Sequence, residues 1–277
     1  MPPPSLPDLA PLAGLLVLLE LAVGTVTLSA ALDQVGRVGR GFAGTTAAIC
    51  ALLMGTDLLV LSGSSDFGAL LHSTVDGGAV AAFAHWAVAF TLLLLADALF
   101  AAVGTEVSRR VVAVATVAVG VATVVTAAVA MGPALGGSGG ALLTFFSSAL
   151  LGGSALAGML LGHWYLVTPN MSFRPLRLSI YAVFIAVAVD CAVIAIALLG
   201  NSGSRQRLIS GDQAFLFWLL VIGSGVLFTA GVTAFTLYFA RIRANQPATA
   251  MLYVLIISVV MGMVPTHLVY LVTGVAI

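Results

Sequence analysis

A polytopic all-helical membrane bundle is the fold class this sequence predicts, and three observations predict it. Of 277 residues, 61% are hydrophobic and only 7% charged. Soluble domains carry about 25% charged residues, so the bilayer interior is the solvent that suits most of this chain. The apolar residues fall into eight runs, each close to the roughly 20 residues a spanning helix needs. The connections between them are short, and none could fold as an independent soluble domain.

The first run, Leu9–Leu32, begins within the N-terminal MPPPSLPDLAPLAG, which has no basic n-region. It is therefore expected to stay as a membrane helix rather than be cleaved as a signal peptide. The second, Gly41–Gly63, is interrupted by one acid, Asp57, and the third, Gly77–Gly104, by His85 and Asp97. The fourth, Val111–Gly132, is dominated by Gly, Ala and Val, whose small side chains let helix backbones approach closely. The fifth, Ala141–Tyr165, ends in His163-Trp164-Tyr165, an aromatic group suited to a membrane boundary. A Pro-containing turn with Arg174 and Arg177 leads to the sixth, Leu178–Gly200, with Asp190 in its middle. The seventh is Gln213–Ala240. The eighth, Ala248–Gly274, contains Pro265 and His267.

Arginine placement sets the orientation. The loops after runs one, three, five and seven carry Arg37, Arg40, Arg109, Arg110, Arg174, Arg177, Arg241 and Arg243, while the opposite side has Arg205 and Arg207. Under the positive-inside rule this asymmetry places both termini outside, on the non-cytoplasmic side of a cell membrane of the bacterial inner-membrane type. The two halves of this single membrane domain, 1–135 and 136–277, echo each other. Asp57 and Asp190 are 133 residues apart, as are Arg110 and Arg243. A parallel 4+4 internal repeat is therefore expected; such repeats occur in transporters, and four-helix bundles also hold cofactors. Alternating topology alone also puts arginines in every second loop.

Depth arranges the ionisable side chains. At 1.5 Å per helical residue, Asp57 lies roughly 9 Å from the outer end of its run, His267 roughly 10 Å, His85 roughly 12 Å, Asp190 about 15 Å, and Glu20 about 16 Å. Five ionisable groups from five helices are thus expected in one layer of the outer half. Charges placed within hydrocarbon are costly and usually face a partner or a cavity.

Three chemistries suit such a layer. His85 and His267 could ligate a haem b iron axially. The same two imidazoles with Asp57 could instead hold a transition metal. Finally, Glu20, Asp57 and Asp190 could pass protons or a cation. Against all three stands a hydrogen-bonded network that only holds the bundle together. Pro265 either frees a carbonyl near His267 or simply kinks the last helix. His163, Trp164 and Tyr165 form either an aromatic belt or an interfacial quinone pocket. Asp97 is expected to meet an interfacial arginine or water, and His72 to be solvated.

Some classes lose their support. The chain carries no HExxH, GxSxG or GxxxxGK[ST], and no lysine for a retinal-type linkage. Zero net charge argues against nucleic acid. Cys50 and Cys191 lie inside apolar runs, where packing explains them better than a redox pair.

Eight helices in a four-plus-four arrangement resemble haem A synthase. That family carries its haem-ligating histidines on even-numbered helices in both halves, whereas here the membrane histidines lie on runs three, five and eight, so no role carries over. The run from Glu20 to Thr25, ELAVGT, is similar to the first helix of small multidrug-resistance exporters, which bears an essential glutamate; the likeness covers these residues only, and the second half has no equivalent acid.

The first functional expectation is a haem- or metal-binding membrane protein serving electron transfer or respiratory-complex assembly, with His85 and His267 as ligands. The second is a proton-coupled transporter using Asp57 and Asp190 as a pair. The third is a structural subunit of a membrane complex. The partners expected are the lipid bilayer and, on the first reading, other membrane subunits or a quinone.

Overall fold

The computed structural model describes residues 6–36, 38–63, 76–168, 171–200, 202–210 and 214–277. It is all-helical, and eight of its helices are long and apolar enough to cross a bilayer. They are α1 (Leu6–Gly36), α2 (Arg40–Gly63), α3 (Gly77–Val103), α4 (Glu106–Met131), α5 (Ser138–Val167), α6 (Arg174–Gly200), α7 (Leu216–Arg241) and α8 (Asn245–Thr273). All eight expected spans are present. Several reach a turn or more beyond the apolar runs, because the helices continue through their polar ends: α4 begins at Glu106 and takes in Arg109 and Arg110. His72 lies outside the described residues.

Local chemistry explains the helix ends. Asp76 precedes α3 and its side chain accepts from the Gly78 amide, and Thr105 does the same for Ser108 at the start of α4. These caps satisfy amides that have no partner within the helix. Between α4 and α5, a single 3₁₀ turn at Gly132–Leu135 ends on Gly136 and Gly137, both with positive φ, which glycine adopts without steric cost. The outer face of the bundle is covered with leucine and isoleucine: Leu59 is 73% exposed and Leu199 85%. Exposed apolar side chains on this scale mark a surface whose solvent is lipid.

Each half closes its own ring. In the first, α1 packs on α2, α2 on α3, α3 on α4 and α4 back on α1; in the second, α5, α6, α7 and α8 do the same. The halves meet chiefly along α1 and α5, with reciprocal flanking contacts of α1 with α8 and of α4 with α5. These two central helices are also the most enclosed of the eight. They meet backbone to backbone. A Cβ built on Gly24 would lie 1.8 Å from the Ala149 carbonyl oxygen, and one on Gly153 2.2 Å from the Gly24 Cα. Thr25 Oγ1 donates to the Gly153 carbonyl across the same crossing.

The first part of α7, Leu216–Phe228, is π-helical. It approaches α8 through a second glycine contact, where a Cβ on Gly262 would fall 2.4 Å from the Gly225 Cα. Ser224, Thr229 and Ser258 join the two helices by hydroxyl hydrogen bonds. π-helix is rare, and where single turns of it interrupt α-helices they are frequently at functional sites.

The α1–α5 crossing yields a stability test. Gly153→Val forces backbone apart and is expected to cost about 3 kcal/mol or more. Gly55→Ala, at a position where a Cβ meets nothing within 4 Å, should be neutral or stabilising. Thermal unfolding of the detergent-solubilised protein reads both.

Candidate functional site

Four of the five ionisable groups expected in one layer come together. Glu20 of α1 and His267 of α8 are both fully buried, and Glu20 Oε2 lies 2.7 Å from His267 Nε2. The local sequence explains why they meet. Glu20 lies four residues before Gly24, on the stripe of α1 that the glycine crossing presses against α5. Phe145 of α5 sets its ring edge-on to the imidazole at 5.9 Å and fixes its plane. Pro265 offers no amide to the Met261 carbonyl one turn back, yet α8 runs unbroken through it to Thr273.

Two further acids flank the pair. Asp57 of α2 is buried and within electrostatic reach of Glu20. Asp190 of α6 interacts with both Glu20 and His267, and lies beside Ser147 of α5. The order across the bundle is therefore Asp57, Glu20, His267, Asp190, drawn from helices of both halves. A cavity of ≈ 10 Å³, about one water, touches Asp190 and is walled by Ser148, Thr266 and Gly225 of the π-helical segment. Several polar atoms here have no hydrogen-bond partner among the described residues: Glu20 Oε1, Asp57 Oδ1, His267 Nδ1 and the Tyr270 hydroxyl. Buried polar atoms are nearly always paired, and exceptions gather where a proton, ion or water is handled.

The fifth group does not join. His85 is exposed on the lipid side of α3 beside Trp86, whereas His267 is enclosed and already bonded to Glu20. The two imidazoles are therefore not brought together as a pair of axial ligands. No group of three or more His, Cys, Asp or Glu among the described residues could hold a metal ion, so the set His85, His267 and Asp57 does not form. The two had been expected at matching depth, but depth along a helix says nothing of the direction a side chain faces.

The aromatic triplet at the end of α5 divides as well. Tyr165 is fully buried and its hydroxyl donates to the Ser172 carbonyl, closing the α5–α6 turn. Trp164 packs edge-on against Phe42 of α2 at 6.3 Å. His163 is exposed, with Nδ1 3.1 Å from the Tyr253 hydroxyl. All three residues engage neighbours at the arginine-bearing face of the bundle.

A second polar cluster lies at that face, in the first half. Arg109 of α4 reaches Asp33 of α1 at 2.7 Å and Glu106 at 2.9 Å, and Arg110 reaches Glu106 at 3.0 Å. Asp97 of α3 is buried and within electrostatic reach of Arg109 and Asp33. Asp97 thus lies near an interfacial arginine but closes no ion pair with it, since Arg109 is taken up by Asp33 and Glu106. Asp33 and Glu106 had no role in the expected site, although the spacing Glu106-x-x-Arg109-Arg110 is that of ion pairs along one helix face. A concavity of ≈ 390 Å³ between α1, α4, α5 and α6 is lined by apolar and hydroxyl side chains such as Val121, Phe146 and Ser154, with no ionisable group among them.

No family model, curated protein or solved structure matches this chain. The likenesses to haem A synthase and to the small exporters accordingly assign no residue, and the site stands on its own geometry.

Truncating one member of the central pair leaves the other buried without its partner. Glu20→Ala and His267→Ala are each expected to cost about 1–3 kcal/mol, and Glu20→Leu/His267→Leu less than the two single changes combined. Denaturant titration in mild detergent measures this coupling; additive costs would mean that the pair contributes no interaction of its own.

Proposed function

We propose that this protein is a proton-coupled membrane transporter whose protonatable centre is the Glu20–His267 pair flanked by Asp57 and Asp190. The observation that carries the reading is the 2.7 Å contact between a fully buried carboxyl and a fully buried imidazole. Each has a second polar atom unpaired, and a further acid lies on either side. Such a chain can hold one proton at several neighbouring positions with little change in net charge, which a low-dielectric interior favours. Ionisable side chains arranged this way inside spanning helices are typical of proton relays in pumps and transporters.

The architecture supports the same reading. We infer that 1–135 and 136–277 are parallel repeats, because each half closes a four-helix ring and the contacts between halves are reciprocal. The acid of the central pair comes from one half and the imidazole from the other, so a rocking of the halves would make or break it. The excess of arginine on one face supports reading that face as cytoplasmic and both termini as outside, in a cell membrane.

Haem or metal ligation by His85 and His267 finds less support, since the two face different surroundings. The full-length protein in liposomes decides between the readings. After an external acid jump, an interior pH dye should report proton entry that falls at least tenfold in Glu20→Gln, Asp57→Asn and Asp190→Asn. Unchanged flux in all three would overturn the proposal and leave a structural subunit as the better description. A Soret band in the purified protein that vanishes in both His85→Ala and His267→Ala would overturn it in favour of haem.

A further inference from the structure

The polar cluster at the arginine-bearing face has features that its ion pairs do not explain. Among the described residues, Asp33 and Glu106 are matched by Arg109 and Arg110, but Asp97 closes no ion pair within 4.0 Å. It is only 8% exposed. A cavity of ≈ 30 Å³ lies against it, walled also by Ser29, Asp33, Thr46 and Arg109. That is room for about two water-sized bodies. Thr46 of α2, 1% exposed, lines this cavity, and its Oγ1 has no hydrogen-bond partner among the described residues. A helical threonine usually returns its hydroxyl to the carbonyl one turn back, as Thr116 and Thr123 do here. Thr46 does not.

We propose that this cavity is a binding site for a small monovalent cation, hydronium or sodium, held by Asp97 and the Thr46 hydroxyl. Three properties select that class. The candidate ligands, Asp97, Asp33, Thr46 and Ser29, all present oxygen, which suits hard cations. The cavity is too small for an organic substrate. Three carboxylates against two guanidiniums leave the cluster with one net negative charge, which a single positive charge balances and a divalent ion would overshoot. Arg109 is the built-in competitor: it already reaches Asp33 and Glu106, and it interacts with Asp97.

The site would be the arginine-face end of the route to Glu20, and in that it rests on the transport reading. Val26, which also walls the cavity, lies six residues along α1 from Glu20, an axial separation of roughly 9 Å. Cys50 of α2, within electrostatic reach of Asp97, is one turn beyond Thr46 along the helix in the direction of Asp57. The charged and titratable groups around Asp97 are Asp33 from α1, Cys50 from α2, and Glu106, Arg109 and Arg110 from α4.

The test uses the full-length protein in detergent, with sodium chloride exchanged for choline chloride at constant ionic strength. If sodium is the occupant, the unfolding temperature rises with sodium; Thr46→Val raises the half-saturating concentration at least tenfold, Thr46→Ser retains the wild-type value, and Asp97→Asn abolishes the response. If hydronium is the occupant, sodium has no effect. An infrared carboxyl band lost in Asp97→Asn then shifts in Thr46→Val but not in Thr46→Ser. A protein showing neither the sodium response nor a Thr46-sensitive Asp97 band has no such site. Binding is read here without flux. Wild-type proton entry with no response in this assay therefore removes the cation site alone, and a response without proton entry removes the transport reading alone.

Discussion

The backbone contact of α1 with α5 at Gly24 and Gly153 is the constraint on which the rest depends. Lipid gives two apolar helices no hydrophobic reason to associate, so they hold together through close packing and interhelical hydrogen bonds. Glycine on both sides lets the backbones touch, and Thr25 adds a hydrogen bond at the same point. With α1 and α5 locked, Glu20 is held one turn away on the same face of α1, opposite Phe145 and His267. The position of the buried acid follows from the glycine crossing more directly than from any electrostatic preference of its own.

The central pair breaks the balance between the halves. The two rings of helices pack in matching ways, and Asp57 and Asp190 occupy comparable places on the second helix of each ring. Glu20 has no acidic counterpart on α5, and His267 no imidazole counterpart on α4. The central pair is thus shared between the two rings rather than repeated in each. The π-helical start of α7 adds to this difference, since the third helix of the first ring, α3, is regular α-helix.

Much of the fold was legible because its signal is one-dimensional. Run length and the absence of charge identify a span, and a fixed rise per residue places each ionisable side chain at a depth. That is why Glu20, Asp57, Asp190 and His267 emerged together from the sequence. Direction around the helix axis was not legible. The third run is apolar all round, so nothing in its pattern told whether His85 faces the bundle or the lipid. Thr46 was hidden for a different reason: a hydroxyl in a spanning helix normally satisfies itself on its own backbone, and only a neighbouring cavity distinguishes the one that does not. Asp33 lay at a helix end, where an acid reads as solvated until Arg109 is seen folded over it.

The unequal lengths of the spans bear on the membrane itself. The 24 residues of α2 make a rod of about 36 Å and the 30 residues of α5 one of about 45 Å, against a hydrocarbon slab of about 30 Å. The shorter rod nearly matches the slab, while the longer one has roughly three turns to spare. A helix locked in the middle of the bundle is not free to lean over to hide that surplus, so it projects into the headgroups. His163 and Trp164, at the far end of α5, are then carried to the level of the headgroups, and the bilayer has to adapt to the central helix rather than the helix to the bilayer.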